Sequence, residues 1–191
     1  MDLASLFLVL IGLSAGAFLS AFSFGREAKK KEVPGRALIC GSVFGVFEGF
    51  MPLVGFLAAS LLGNTLGRFA HWVGFLLLSY LGLSLLIETL RRRRKAATPT
   101  AGWELKGLLL AALSASVDLL VAGLALALFG ADAGKTCALA AAVGFASAAI
   151  GFFAGSGKED KRYVCLWAGI SGCVLIIGIA LRLLLAHQFG V

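Results

Sequence analysis

The stretch LKGLLLAALSASVDLLVAGLALALF, Leu105–Phe129, decides the architecture. As a helix it is long enough to cross a hydrocarbon core of about 30 Å, which takes ~20 predominantly apolar residues. Asp118, in Ser114-Ala115-Ser116-Val117-Asp118, is its only ionisable residue after Lys106. A carboxylate at the centre of a membrane helix costs on the order of 3 kcal/mol on insertion scales, so it faces a partner, an ion or a water-filled cavity.

Outward from that stretch, the composition agrees. Hydrophobic residues make up 60% of the 191, against roughly 45–50% in an ordinary soluble domain. Mean hydropathy is +0.97 and only 14% of residues are charged. A soluble fold would lack the polar surface to cover such a core. The chain reads as an all-α, polytopic membrane protein, a single six-helix domain over 1–191 whose partner is the lipid bilayer.

Six apolar segments stand near the spanning length: Leu3–Gly25, Arg36–Leu62, His71–Leu90, Leu105–Phe129, Thr136–Ser156 and Val164–Ala186. The first is no ordinary signal peptide, because Asp2 stands where a basic n-region would be. They divide into two three-helix halves, 3–90 and 105–186, joined by a basic linker, 91–104, that contains Pro99. A half with an odd number of spans re-enters the membrane inverted, so the pattern predicts two inverted repeats with a site near the midplane. Ser14-Ala15-Gly16-Ala17 can be laid on Ser116-Val117-Asp118-Leu119, each near the centre of its segment.

The net charge of +7 is a topology signal and not a nucleic-acid footprint. Arg26, Lys29, Lys30, Lys31 and Arg36 follow segment one. Arg91–Arg94, Lys95 and Lys106 follow segment three, and Lys158, Lys161 and Arg162 follow segment five. Three loops (26–36, 91–106 and 158–162) thus hold fourteen of the 17 Lys and Arg residues, leaving Arg68, Lys135 and Arg182. This places those loops in the cytoplasm and both termini outside a cell (inner) membrane. Arg91–Lys95 reads as a stop-transfer anchor, and Glu88 can pair with Arg91 or Arg92 at helical spacing. Trp72 and His71 suit the outer interface, and Arg182 can snorkel to it. Cys40, Cys137, Cys165 and Cys173 form no C-x-x-C pair and read as buried, inert thiols.

Glu48 is the second carboxylate at mid-depth. Pro52 cannot donate to the carbonyl four residues earlier, which belongs to Glu48. A freed carbonyl beside a carboxylate offers two oxygens to a hard cation, and Gly49 with Pro52 suggests a helix break or kink. Ser114 and Ser116 precede Asp118 and could donate to it or join an ion's shell. No nucleophile–base pair, phosphate-binding glycine loop or zinc-type His/Cys cluster occurs, so no enzyme and no cofactor is expected.

Taken together, Phe44-Gly45-x-x-Glu48-x-x-x-Pro52-Leu53-x-Gly55, His71-Trp72, Leu81-Gly82, Ile87-Glu88 and Ser116-x-Asp118 resemble the MntP family of manganese efflux pumps, within the LysE-like exporters. The similarity spans essentially the whole chain. It implies proton- or potential-linked export of Mn²⁺, a transported substrate and not a cofactor, with Glu48 and Asp118 as metal ligands. The family's first helix carries Ser-x-Asp-Ala, where this chain reads Ser14-Ala15-Gly16-Ala17. Position 16 therefore departs from the pattern. Mn²⁺ is a hard cation suited to carboxylate, carbonyl and water ligands. Glu48 and Asp118 balance its charge, with Ser14 or Ser20, carbonyls and water as auxiliary ligands. The alternatives are a LysE-like exporter of a small organic solute and a non-transporting membrane relative; a homo-oligomer is compatible with either.

Overall fold

A computed structural model describes residues 3–28, 31–66, 70–94, 105–157, 170–179 and 182. Seven helices are described: α1 (Leu3–Leu13), α2 (Ala15–Gly25), α3 (Val33–Leu66), α4 (Ala70–Arg94), α5 (Leu105–Leu128), α6 (Ala133–Gly155) and α7 (Ile170–Ile179). The all-helical architecture follows from the solvent, since lipid offers no partner for a backbone N–H or C=O. Four spans are long and apolar enough to cross a membrane: Ala4–Gly25, Val33–Leu61, Leu105–Leu128 and Ala133–Gly155. Trp72–Ile87 and Ile170–Ile179 are shorter apolar helices within the third and sixth segments. The linker 95–104, the loop 158–162, and the side chains of His71, Glu88 and Arg91–Arg94 lie outside the description.

Several boundaries move from those expected. The first span is two helices that meet at Ser14, though Ser14 N–H still donates to Leu10 O and Phe18 N–H to Ser14 O. α3 has 34 residues and runs through Pro52, so the proline does not break it. At 1.5 Å per residue α3 is about 51 Å long, so it must tilt or extend past the hydrocarbon core. α4 continues through Arg94, which puts the backbone of the basic run on helix.

The α5–α6 turn is set by local chemistry. Gly130 adopts φ 73°, its N–H donates to Ala127 O, and Ala131 N–H donates to Leu126 O. This is a Schellman ending, which needs a residue free of Cβ strain at that position. Asp132 then caps α6 by accepting from Lys135 N–H at 2.8 Å.

Glycine contacts set the directions of the central helices. Gly41 faces Phe145 while Gly49 faces Ala141 and Cys137, so α3 and α6 run antiparallel. Gly151 meets Phe18 O and Gly155 meets Phe22 O, so α2 and α6 run parallel. α3 crosses α5 in the same manner as α6 crosses α2. A Cβ on Gly55 would strike Leu120 O and one on Gly123 would strike Pro52 O. At the matching crossing, Gly155 meets Phe22 O and Gly25 meets Phe152 O. Each crossing pairs a glycine with the carbonyl three residues before the partner glycine. This crossing sets Gly25 against Gly123, and by the same register Asp118 corresponds to Ser20, a helical turn beyond the Gly16 suggested by laying the sequences together.

The apolar core is split into two clusters. One gathers Leu10 and Leu13 of α1, Met51 and Phe56 of α3, Leu119 and Leu126 of α5, and Ala140 of α6, together with α4 and α7. The other gathers Ala17 and Ala21 of α2, Phe44 and Phe47 of α3, Ala112 and Ala115 of α5, and Ala148 and Phe152 of α6.

Candidate cation site

The gap between the two apolar clusters falls at the same level on all four central spans. On the first span it falls at Gly16, between Ala15 and Ala17 and two residues after Ser14, and on α3 at Glu48, between Phe47 and Met51. On α5 it holds Ser116 and Asp118, between Ala115 and Leu119, and on α6 it holds Gly144 and Ser147, between Ala140 and Ala148. Ser14, Glu48, Ser116, Asp118 and Gly144 each lie within about two residues of the midpoint of their span. Polar residues thus lie near the midpoints of the four long apolar spans.

Glu48 is the most unusual of these residues. The side chain is 1% exposed, and neither carboxylate oxygen has a hydrogen-bond partner among the described residues. Its Oε2 rests on the bare Cα of Gly144, where a Cβ would collide with it. A carboxylate taken out of water without compensation costs several kcal/mol, so its ionised form calls for a cation.

Asp118 differs. It is half-buried and already takes part in a polar interaction. Ser116 is fully buried and donates to Ala112 O at 2.7 Å, whereas Ser114 is exposed and donates to Ala111 O at 2.9 Å. Both serine protons are therefore spent within α5, leaving oxygen lone pairs only. Ser114 points away from the buried face of α5. Ser20 is buried on α2, and Gly16 has no atom within 4 Å of a built Cβ. Gly49 packs its Cα against Ala141 Cβ, serving close approach of α3 to α6.

One contact had no signal in the sequence. Ser14 Oγ and Ser147 Oγ lie 3.0 Å apart, joining α6 to the junction of α1 and α2. Ser147 sits in Ala146-Ser147-Ala148, where a small residue reads as helix packing. Among the described residues, no three His, Cys, Asp or Glu side chains form a metal-binding group. Oxygen ligands beyond the two carboxylates would come from hydroxyls, carbonyls or water. Arg182 is exposed and donates to Ser5 Oγ at 2.9 Å, tying the end of the last segment to α1. Cys40 and Cys173 are buried, Cys137 is half-buried, and Trp72 is 48% exposed, as an interfacial aromatic would be.

The family described as "Putative manganese efflux pump" matches residues 31–184. The chain belongs to the manganese efflux pump family. Proteins with the same description, followed by MntP, align along nearly the full length. That of Desulfitobacterium hafniense (strain Y51) is 30% identical over 184 residues, 95% of this chain and 94% of the relative. That of Ruminiclostridium cellulolyticum is 31% identical over 192 residues, covering 99% and 98%. The Rippkaea orientalis relative is 31% identical over 188 residues, 96% of both chains. No solved structure matches the chain. Membership in the MntP family and the apolar spans make this a multi-pass membrane protein of an exporter family.

Proposed function

We propose that this chain exports Mn²⁺ from the cytoplasm along a cation path at the middle of the bilayer. Glu48 is the principal ligand and Asp118 the second carboxylate. The observation that carries this reading is the buried Glu48 carboxylate, unpartnered among the described residues. Carboxylate and hydroxyl oxygens suit a hard ion such as Mn²⁺. Two carboxylates match a divalent charge, so the loaded site is electrically neutral in a low-dielectric surrounding.

Family membership supports manganese as cargo and not as a resident cofactor, and transport as opposed to catalysis. The basic loops 26–36, 91–106 and 158–162 face the cytoplasm and both termini lie outside, following the charge asymmetry. The ion then enters from the side that carries most of the positive charge. Carboxylates at mid-depth offset that repulsion locally.

The test uses a strain lacking its own manganese exporter. Expression of the chain lowers cell-associated manganese, and Glu48→Gln or Asp118→Asn at equal membrane abundance removes the effect. Unchanged manganese with the wild-type chain contradicts the choice of ion. The open space at Gly16 favours one second reading, export of a larger, less charged solute of the LysE-like kind. An amino-acid efflux assay that matches empty vector removes it.

A further inference from the structure

The first span changes neighbours along its length. Beyond Ser14, α2 lies in backbone contact with α6, where a Cβ on Gly151 would strike Phe18 O and one on Gly155 would strike Phe22 O. Before Ser14, α1 stands off from α6 across an open apolar groove of about 340 Å³. Phe7 and Ile11 line the groove on α1, and Leu139, Val143 and Ile150 line it on α6. The splay starts at the contact between Ser14 Oγ and Ser147 Oγ, 3.0 Å apart.

α1 belongs instead with α4 and α7. Leu10 and Leu13 pack in one cluster with Leu78, Leu81 and Ile176. Gly12 of α1 and Gly172 of α7 lie against each other, and Gly82 of α4 lies against Ile177 of α7. α2 joins the other cluster, with Ala17 and Ala21 beside Phe44 and Phe152. The change of neighbours falls at Gly16, where a built Cβ meets nothing within 4 Å. The break just before it has a chemical cause. Ser14 Oγ donates to Ile11 O at 3.1 Å, the carbonyl that Ala15 N–H takes in an unbroken helix. Back-bonding of this kind bends helices, and ψ at Ser14 is −2°, against about −42° in a regular helix.

We infer that α1 is an arm hinged at Ser14, which swings into the groove against α6 and carries α7 and α4 with it. Hinges are a few residues at element ends that absorb the backbone rotation. Here a break in the helix, a space for the arm to enter and a change of packing partner coincide within three residues of one span, Ser14 to Gly16. The swing moves α1 and leaves α2 on α6, so it reshapes the span at Gly16, the level at which the two apolar clusters part. Its link to transport rests on the proposed export of Mn²⁺, since an ion moves the arm by binding one of its positions better than the other.

Phe7 and Leu139 stand on opposite walls of the groove, each about two helical turns from the Ser14–Ser147 contact. The experiment introduces Phe7→Cys and Leu139→Cys together in a chain whose own four cysteines are replaced by alanine. A disulfide needs Cα atoms within about 7 Å, so it traps the arm in the groove. In oxidised membranes its yield should change by about threefold or more between Mn²⁺-free and Mn²⁺-saturated samples, as for a shifted two-state population. Uptake of ⁵⁴Mn²⁺ into everted vesicles should fall by about fivefold or more on oxidation and return on reduction, as for a gating element held shut. Equal yields in the two samples overturn the inference, as does full uptake by the oxidised protein. If this pair fails to accumulate, Ile11→Cys with Val143→Cys, about one turn from the contact, replaces it under the same criteria. Absence of uptake by the wild-type chain sinks the export reading. The disulfide in Mn²⁺-free membranes then decides the swing alone, its formation upholding the arm and its absence overturning it.

Discussion

The carboxylate of Glu48 on α3 lies against the Cα of Gly144 on α6, in the space a methyl group at 144 would fill. The two residues form one feature: the glycine provides the room that the acid occupies. Gly144→Ala must push the carboxylate aside, and Cδ as well as Oε2 stands in the way. We expect Mn²⁺ export to fall by about tenfold, comparable to disturbing the support of a metal ligand. Vesicle uptake at matched protein levels checks this, and wild-type uptake would separate Gly144 from the site.

The two carboxylates should not behave alike. Glu48 has no hydrogen-bond partner among the described residues, whereas Asp118 already has a polar interaction. Removing charge from Glu48 by Glu48→Gln relieves an uncompensated buried acid. Asp118→Asn instead weakens an existing contact. Both variants should lose export, but only Asp118→Asn should also lower the melting temperature in detergent, since it alone disturbs an interaction already made. A scanning fluorimetry melt of the two variants distinguishes them.

The glycines at the helix crossings give a third expectation. At Gly55 the obstacle to a Cβ is the backbone of α5, namely Leu120 O and Leu124 N. Overpacking of this kind costs about 1–3 kcal/mol or more, because backbone cannot rotate away. Gly55→Ala and Gly155→Ala should therefore both reduce folded protein in membranes. Gly35, exposed on α3 with no atom within 4 Å of its built Cβ, is the control. There alanine should be neutral or stabilise by about 0.5–1 kcal/mol, the helical cost of glycine.

Much of this was legible in the sequence because lipid imposes a simple rule. Runs of spanning length must be helical, and Glu48 and Asp118 stand out since acids are rare at that depth. The break at Ser14 was not legible, because no proline or charge marks it. Pro52 suggested a break that packing of α3 against α5 and α6 does not permit. The register between the halves also shifted, since a match of small residues is weak beside a crossing fixed by backbone contacts. Ser147 is a lone hydroxyl among alanines, and only the fold brings Ser14 to it.

Position 16 yields a further test. A Cβ on Gly16 meets nothing within 4 Å, so Gly16→Asp should fold and reach the membrane in normal amount. It adds a third carboxylate on the first span, two residues after Ser14. We expect tighter Mn²⁺ binding, read as a lower half-saturating concentration in vesicle uptake. Loss of membrane protein in this variant would show that the space at position 16 is not open.

Binding of Mn²⁺ to the purified protein tests the role of Glu48 most directly. Mn²⁺ in solution gives a six-line paramagnetic resonance signal that fades on coordination by protein. Titration of the wild-type chain in detergent should remove the signal stoichiometrically, and Glu48→Gln should leave it undiminished under the same conditions. Equal loss of signal with Glu48→Gln would contradict the assignment of Glu48 as the cation's principal ligand.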